Sequence, residues 1–155
     1  MIKKCIMLIG LPGTGKSTFY GKNFEYEYDI ISTDYIIQNF ADSYSMTYND
    51  VFPDLIKLAE KVMWNSIESG CSECIDMCID RTNLTKKSRK KFLDYFRLEG
   101  YVVTAYVFGI PEDWGDRLNS RPGKIIPKHV LRSMQENYEE PSLDEGFVEI
   151  ITVGI

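Results

Sequence analysis

The chain has 155 residues, enough for one domain with a sheet enclosed between helices and too few for two full catalytic domains. Hydrophobic residues at 44% and charged ones at 26% are globular proportions, and no apolar run approaches the roughly 20 residues that span a bilayer. The net charge of −5 excludes a generally sticky nucleic-acid binder, whose surface must be cationic, so any contact with nucleic acid has to be local.

The first apolar run, Cys5 to Ile9, reads as a strand. It is shorter than the roughly 7 to 15 residues of a signal-peptide core, so Lys3 and Lys4 before it are not expected to mark a secretory leader. A helix starts near Lys16 and frays by Gly21. The second strand, 29–32, ends at Thr33-Asp34, either of which can cap a helix from Tyr35 to Ala41. From Pro53 to Ser69, Ile56, Ala59, Met63 and Ile67 recur at helical spacing, and Gly70 is the expected stop. A third strand over 74–79 ends at Asp80. The turn Arg81-Thr82-Asn83-Leu84 then leads to a helix capped by Thr85, with Phe92, Tyr95 and Phe96 on its apolar side and Gly100 at its close.

Tyr101 to Phe108, with valines, threonine and aromatics, is the most strand-like segment. Pro111 suits the first turn of a helix carrying Arg117, a loop spans 120–127, and a helix follows to Glu139. The last strand covers 147–153. Strands alternating with helices predict an α/β fold with a parallel sheet of about five strands, helices on both faces, and one domain over 1–155. The four cysteines sit at 5, 71, 74 and 78, with Cys5 inside a strand, which favours a reduced, cytoplasmic setting. Cys74 and Cys78 fall in the extended segment of the third strand, about 13 Å apart, too far for one zinc ion.

Chemistry concentrates in a few segments. Gly10-Leu11-Pro12-Gly13-Thr14-Gly15-Lys16-Ser17 fills every fixed position of the G-x-x-x-x-G-K-S loop, directly after a strand and before a helix, as its mechanism requires. Residues from Leu11 to Thr18 would cradle the phosphates of ATP, with every backbone N–H but that missing at Pro12 available to donate, Lys16 would reach the terminal phosphates, and Ser17 would ligate magnesium. This predicts a P-loop NTPase-type sheet and a phosphotransferase. Asp34 and Asp80 end other strands at the edge where open parallel sheets bind ligands. With a single histidine in the chain, His129, a carboxylate must serve as general base, and Asp34 is the candidate unless it only caps its helix. Asp80 and Thr82 would position the acceptor or the water shell of the metal, the alternative being an ordinary turn. Arg117, Arg121 and Lys124 lie on or beside a Pro-Gly loop, so 117–127 is expected to be a mobile lid whose cations stabilise the transferring phosphate, or else a solvated basic loop. Lys86, Lys87, Arg89, Lys90 and Lys91 form either a solvated helix face or a guide for a phosphodiester backbone.

Gly10 to Thr18, Ile31-Ser32-Thr33-Asp34, Asp80 to Leu84, and Arg117 to Met134 occur in an order that resembles the phage-type polynucleotide 5′-hydroxyl kinase family. The resemblance implies that Asp34 is the general base, that Lys16 and Arg121 act on the transferring phosphate, and that Asp80, Arg81, Thr82 and Lys124 help to hold the acceptor. It also implies that ATP and magnesium are required, that the acceptor is a DNA or RNA 5′ end, and a role in nucleic-acid repair. Two features depart from the family. Ile37 stands where members often carry an arginine for the acceptor's 3′ phosphate, and the D-x-D-x-[TV] motif of a 3′-phosphatase does not occur. Ile37 and the acidic charge keep open a kinase of a small acceptor such as a nucleoside, nucleotide or other metabolite. A non-catalytic ATP-binding regulatory module is the third possibility. Neither a membrane nor a protein partner is expected.

Overall fold

The structure, a computed structural model, describes residues 1–121 and 123–154. Five strands form one parallel sheet: β1 (Lys3–Ile9), β2 (Asp29–Ile31), β3 (Met77–Asp80), β4 (Tyr101–Phe108) and β5 (Glu149–Val153), in the order β2-β3-β1-β4-β5. The helices between them are α1 (Lys16–Asn23), α2 (Thr33–Ser43), α3 (Tyr48–Ser72), α4 (Lys86–Leu98), α5 (Trp114–Asn119) and α6 (Lys128–Asn137), and a 3-10 turn covers Leu143–Glu145.

Side chains of a strand alternate between its faces, and β1 shows the consequence. Cys5, Met7 and Ile9 pack with Met63 and Ile67 of α3 and with Phe92 and Phe96 of α4. Ile6 and Leu8 face the opposite way, toward Tyr20 of α1 and Phe108. Helices therefore cover both faces, as the run of strand and helix signals predicted. A buried Ile, Phe or Met contributes about 1.5 to 3 kcal/mol, so the α3 and α4 face carries most of the apolar stabilisation. From β1 the chain goes first to one side of the sheet and returns later to the other, which opens a crevice beyond the carboxyl end of β1.

Three boundaries around α3 differ from the sequence reading. Helix α3 begins at Tyr48 because Thr47 and Asp50 form a capping box, with the Thr47 side chain accepting the Asp50 N–H and the Asp50 carboxylate accepting the Thr47 N–H. It continues through Gly70, which is a close-packing position rather than a stop: a Cβ there would lie 2.7 Å from Met77 Sδ. The helix thus reaches Ser72, Cys74 turns the chain at φ 59, and β3 starts only at Met77. The premise that Cys74 and Cys78 share a strand is thereby corrected. Among the described residues no helix is long and apolar enough to cross a membrane.

Candidate active site

The glycine-rich loop lies at the switch beyond β1. Gly13 and Gly15 adopt φ 75 and 96, the left-handed region that glycine enters without a Cβ penalty. A Cβ on Gly13 would also come within 3.0 Å of Leu118. Thr14 Oγ1 donates to the Leu11 carbonyl at 2.7 Å and closes the loop on itself. Helix α1 starts with Gly15 at its N-cap and no side-chain cap, so its first N–H groups face the loop, the arrangement in which helix N-termini bind phosphate. The Lys16 ammonium is buried and donates to the Gly10 and Leu11 carbonyls at 2.9 and 2.7 Å. Burial drives its pKa down to about 8, against the opposing pull of the Asp80 charge.

Ser17 Oγ donates to Asp80 Oδ2 at 2.7 Å. This pair sets a hydroxyl and a carboxylate, both hard oxygen donors, side by side next to the phosphate cradle, and the donor set suits magnesium. Asp80 is brought to this place because β3 pairs with β1 in parallel, with Leu8 opposite Asp80.

Asp34 does not cap α2. Ser32 does, its side chain accepting the Tyr35 N–H at 3.1 Å, which leaves the Asp34 carboxylate for other work. Asp34 Oδ1 accepts the Tyr48 hydroxyl at 2.5 Å and Oδ2 accepts Lys124 Nζ at 2.7 Å, yet 56% of its side chain is exposed. Burial alone would raise its pKa. The Lys124 charge, the hydrogen bonds from Lys124 and Tyr48, and the Arg121 charge together hold it below the ordinary aspartate value. Arg121 also acts on Lys16 and on Tyr48, so Asp34, Lys16 and the cations of the 117–127 segment share one field.

The segment 117–127 spans the end of α5 and the loop into α6, with Pro122 outside the described residues. Trp114 Nε1 donates to the Pro12 carbonyl at 2.7 Å, anchoring α5 on the glycine-rich loop. Arg117 pairs with Asp113 at 2.9 Å, and a Cβ on Gly15 would stand 3.4 Å from its guanidinium. Lys124 reaches Asp34, as described.

The other predicted acceptor residues separate. Arg81 turns toward the helices, 3.1 Å from Glu60 and over the Phe92 ring. The Thr82 carbonyl accepts the Gly10 N–H at 3.0 Å, and the residue lines a cavity of about 410 Å³ with Leu84, Ser88, His129 and Met134. Asn83, at φ 50, donates its amide to the Leu8 carbonyl at 2.8 Å and so braces the strand that carries the loop. Arg89 leaves the predicted basic patch altogether. It is fully buried, pairs with Glu145 at 2.8 Å and donates to the Asn83 and Glu139 carbonyls at 2.9 Å each. Ile37 is also fully buried, packed with Ala41, Tyr48, Val51 and Ala59.

Tyr48, Asn49 and Trp114 were not among the predicted site residues. The Thr47-x-x-Asp50 capping signal marks where α3 begins, but nothing in the spacing points Tyr48 at Asp34.

Fold and loop together define a kinase-like P-loop phosphotransferase class. The chain matches the AAA domain family over residues 5–141, and it belongs to that family. Solved structures of similar fold include a putative kinase from Chloroflexus aurantiacus (TM-score 0.74, 14% identity, 99% of this chain and 88% of that one). A gluconokinase from Sinorhizobium meliloti matches at TM-score 0.58 and 21% identity, covering 98% and 82%. The Pnkp1/Rnl/Hen1 RNA repair complex contains a chain matched at TM-score 0.63 and 20% identity, over 89% of this chain but only 47% of that one. At these identities the likeness is one of fold.

Proposed function

We propose that the protein transfers the γ-phosphate of ATP to a hydroxyl group, with a polynucleotide 5′ end as acceptor. The observation that carries the transfer is the convergence of the loop lysine, the Ser17–Asp80 pair and a second, solvent-reaching carboxylate, Asp34, with lid cations beside it. Backbone N–H groups of the loop and Lys16 bind the phosphates. Ser17, with Asp80 next to it, would hold magnesium, which supplies charge neutralisation between phosphate oxygens when bound. Asp34 orients the acceptor hydroxyl and takes its proton. Its low pKa keeps it ionised near neutrality, and a loose phosphoryl-transfer transition state asks chiefly for such orientation. Arg121, with Arg117, stabilises charge on the phosphoryl group. The choice of a nucleic-acid end rests on the Arg117 to Met134 motif and is in keeping with the RNA repair complex among the fold relatives.

A small acceptor is the second reading, and Ile37 favours it. An arginine at that position would have to enter the core between α2 and α3 rather than meet a 3′ phosphate. The inward turn of Arg81 and Arg89 also removes two cations from any path for a phosphodiester backbone. Incubation with γ-labelled ATP, magnesium and either 5′-hydroxyl oligonucleotides or a panel of nucleosides and sugar acids separates the two. Label on oligonucleotides is expected; label on small acceptors and never on oligonucleotides would sink the polynucleotide reading. Asp34→Asn should abolish transfer while ATP still binds, and near-normal turnover in that variant would remove Asp34 from its role.

A further inference from the structure

Tyr48 is the first residue of α3, almost fully buried, and its ring stacks on Phe52 with centroids 5.5 Å apart. That packing fixes the hydroxyl, which donates to Asp34 Oδ1 at 2.5 Å. Lys124 completes the arrangement: its Nζ lies 2.7 Å from Asp34 Oδ2 and 4.6 Å from the centre of the Tyr48 ring. A carboxylate has about four lone-pair sites, so these two donors leave room for an acceptor hydroxyl. The adjacent residue, Asn49, grips the lid on both sides of Lys124. Its N–H donates to the Gly123 carbonyl at 3.0 Å, its side-chain amide donates to the Ile125 carbonyl at 3.2 Å, and its Oδ1 accepts the Ile125 N–H at 3.3 Å.

We propose that Tyr48 and Lys124 are positioning residues that grip the two oxygens of Asp34, and that Asn49 makes this grip depend on the lid being seated on the start of α3. The dipeptide Tyr48-Asn49 thereby joins two events that the loop motif leaves separate, closure of the lid and alignment of the base. A lysine swung away with the lid would leave Asp34 with Tyr48 alone. The charged and titratable groups acting on the carboxylate are Lys124, Tyr48, Arg121 and, across the site, Lys16. The catalytic consequence rests on the hydroxyl-kinase reading above; the geometry does not.

The test is titration of the Asp34 side-chain carboxyl carbon by NMR in the full chain, comparing wild type with Tyr48→Phe and Asn49→Ala. Tyr48→Phe keeps the packed ring and removes only the hydroxyl. Asn49→Ala removes nothing that touches Asp34. In both, the titration midpoint is expected to move to higher pH, because donors to the ionised form have been lost or loosened. An unchanged midpoint in Tyr48→Phe overturns the role of the hydroxyl, and an unchanged midpoint in Asn49→Ala overturns the coupling to the lid. With an active acceptor in hand, Tyr48→Phe should lower kcat roughly tenfold, the scale of one hydrogen bond to a charged group, with KM for ATP unaltered. Its acid limb should move the same way as the NMR midpoint. Absence of transfer from wild type to every acceptor would defeat the kinase reading while leaving the titration result to decide the grip.

Discussion

Raising the pH from 7 to 9 tests the environment of Lys16 directly. Its ammonium is buried against loop carbonyls and titrates at about 8, so it is roughly 90% protonated at pH 7 and roughly 10% at pH 9. Nucleotide phosphates require the charged form, so binding must restore the proton. The apparent Kd for ADP should then rise about tenfold over this interval, equivalent to about 1.4 kcal/mol. Proton uptake should grow from about 0.1 per nucleotide at pH 7 to about 0.9 at pH 9. Phosphate oxygens do not confuse the result, since their last pKa is about 6. Isothermal titration calorimetry in buffers of different ionisation enthalpy reads both quantities, and Lys16→Met should remove the buffer dependence at pH 9. A Kd flat between pH 7 and 9, with the same heat in every buffer, would refute the reasoning. The same lowered pKa has a sign for folding. Between about 8 and 10.5 the unfolded chain holds more protons at Lys16 than the folded one, so this group's contribution to stability improves as pH rises through that window.

Arg89→Met would leave Glu145 without its partner and two carbonyls without a donor; a broken buried pair costs about 3 to 5 kcal/mol. Thermal denaturation should show a Tm roughly 10 °C lower, and an unchanged Tm would mean that Arg89 does not tie α4 to the 3-10 turn. Gly123→Ala places a Cβ 2.6 Å from Thr47 Cβ on a residue at φ 73, so the lid cannot stay seated. Turnover should fall while Tm changes little; full activity would contradict lid seating as a condition for transfer. Arg121→Ala should reduce kcat more than affinity for ATP, and the opposite pattern would make the residue a binding group only.

How much of this was legible before folding varies by element. The glycine-rich loop follows from local chemistry: positive φ values, close backbone approach and a helix N-terminus are all written into eight consecutive residues. Thr85 as the cap of α4 and the strand character of β4 are likewise local, and both hold. The end of α3 was misread because Gly70, a usual stop, is required by a neighbour distant in sequence, Met77. The run of cations in α4 misled for a similar reason, since only the path of the chain after α6 shows that Arg89 meets Glu145.

The sequence by itself determined the phosphate loop, the alternation of strands and helices, and the candidacy of Asp34, because short-range backbone geometry and side-chain periodicity set each of them. Tertiary structure alone decided what surrounds these residues. Asp80 meets Ser17 because β3 lies beside β1, and Asp34 meets Tyr48 and Lys124 because α3 and the lid converge on the crevice from 14 and 90 residues away. Contacts across such separations depend on how the sheet is ordered and how the helices pack on it, which no local pattern encodes.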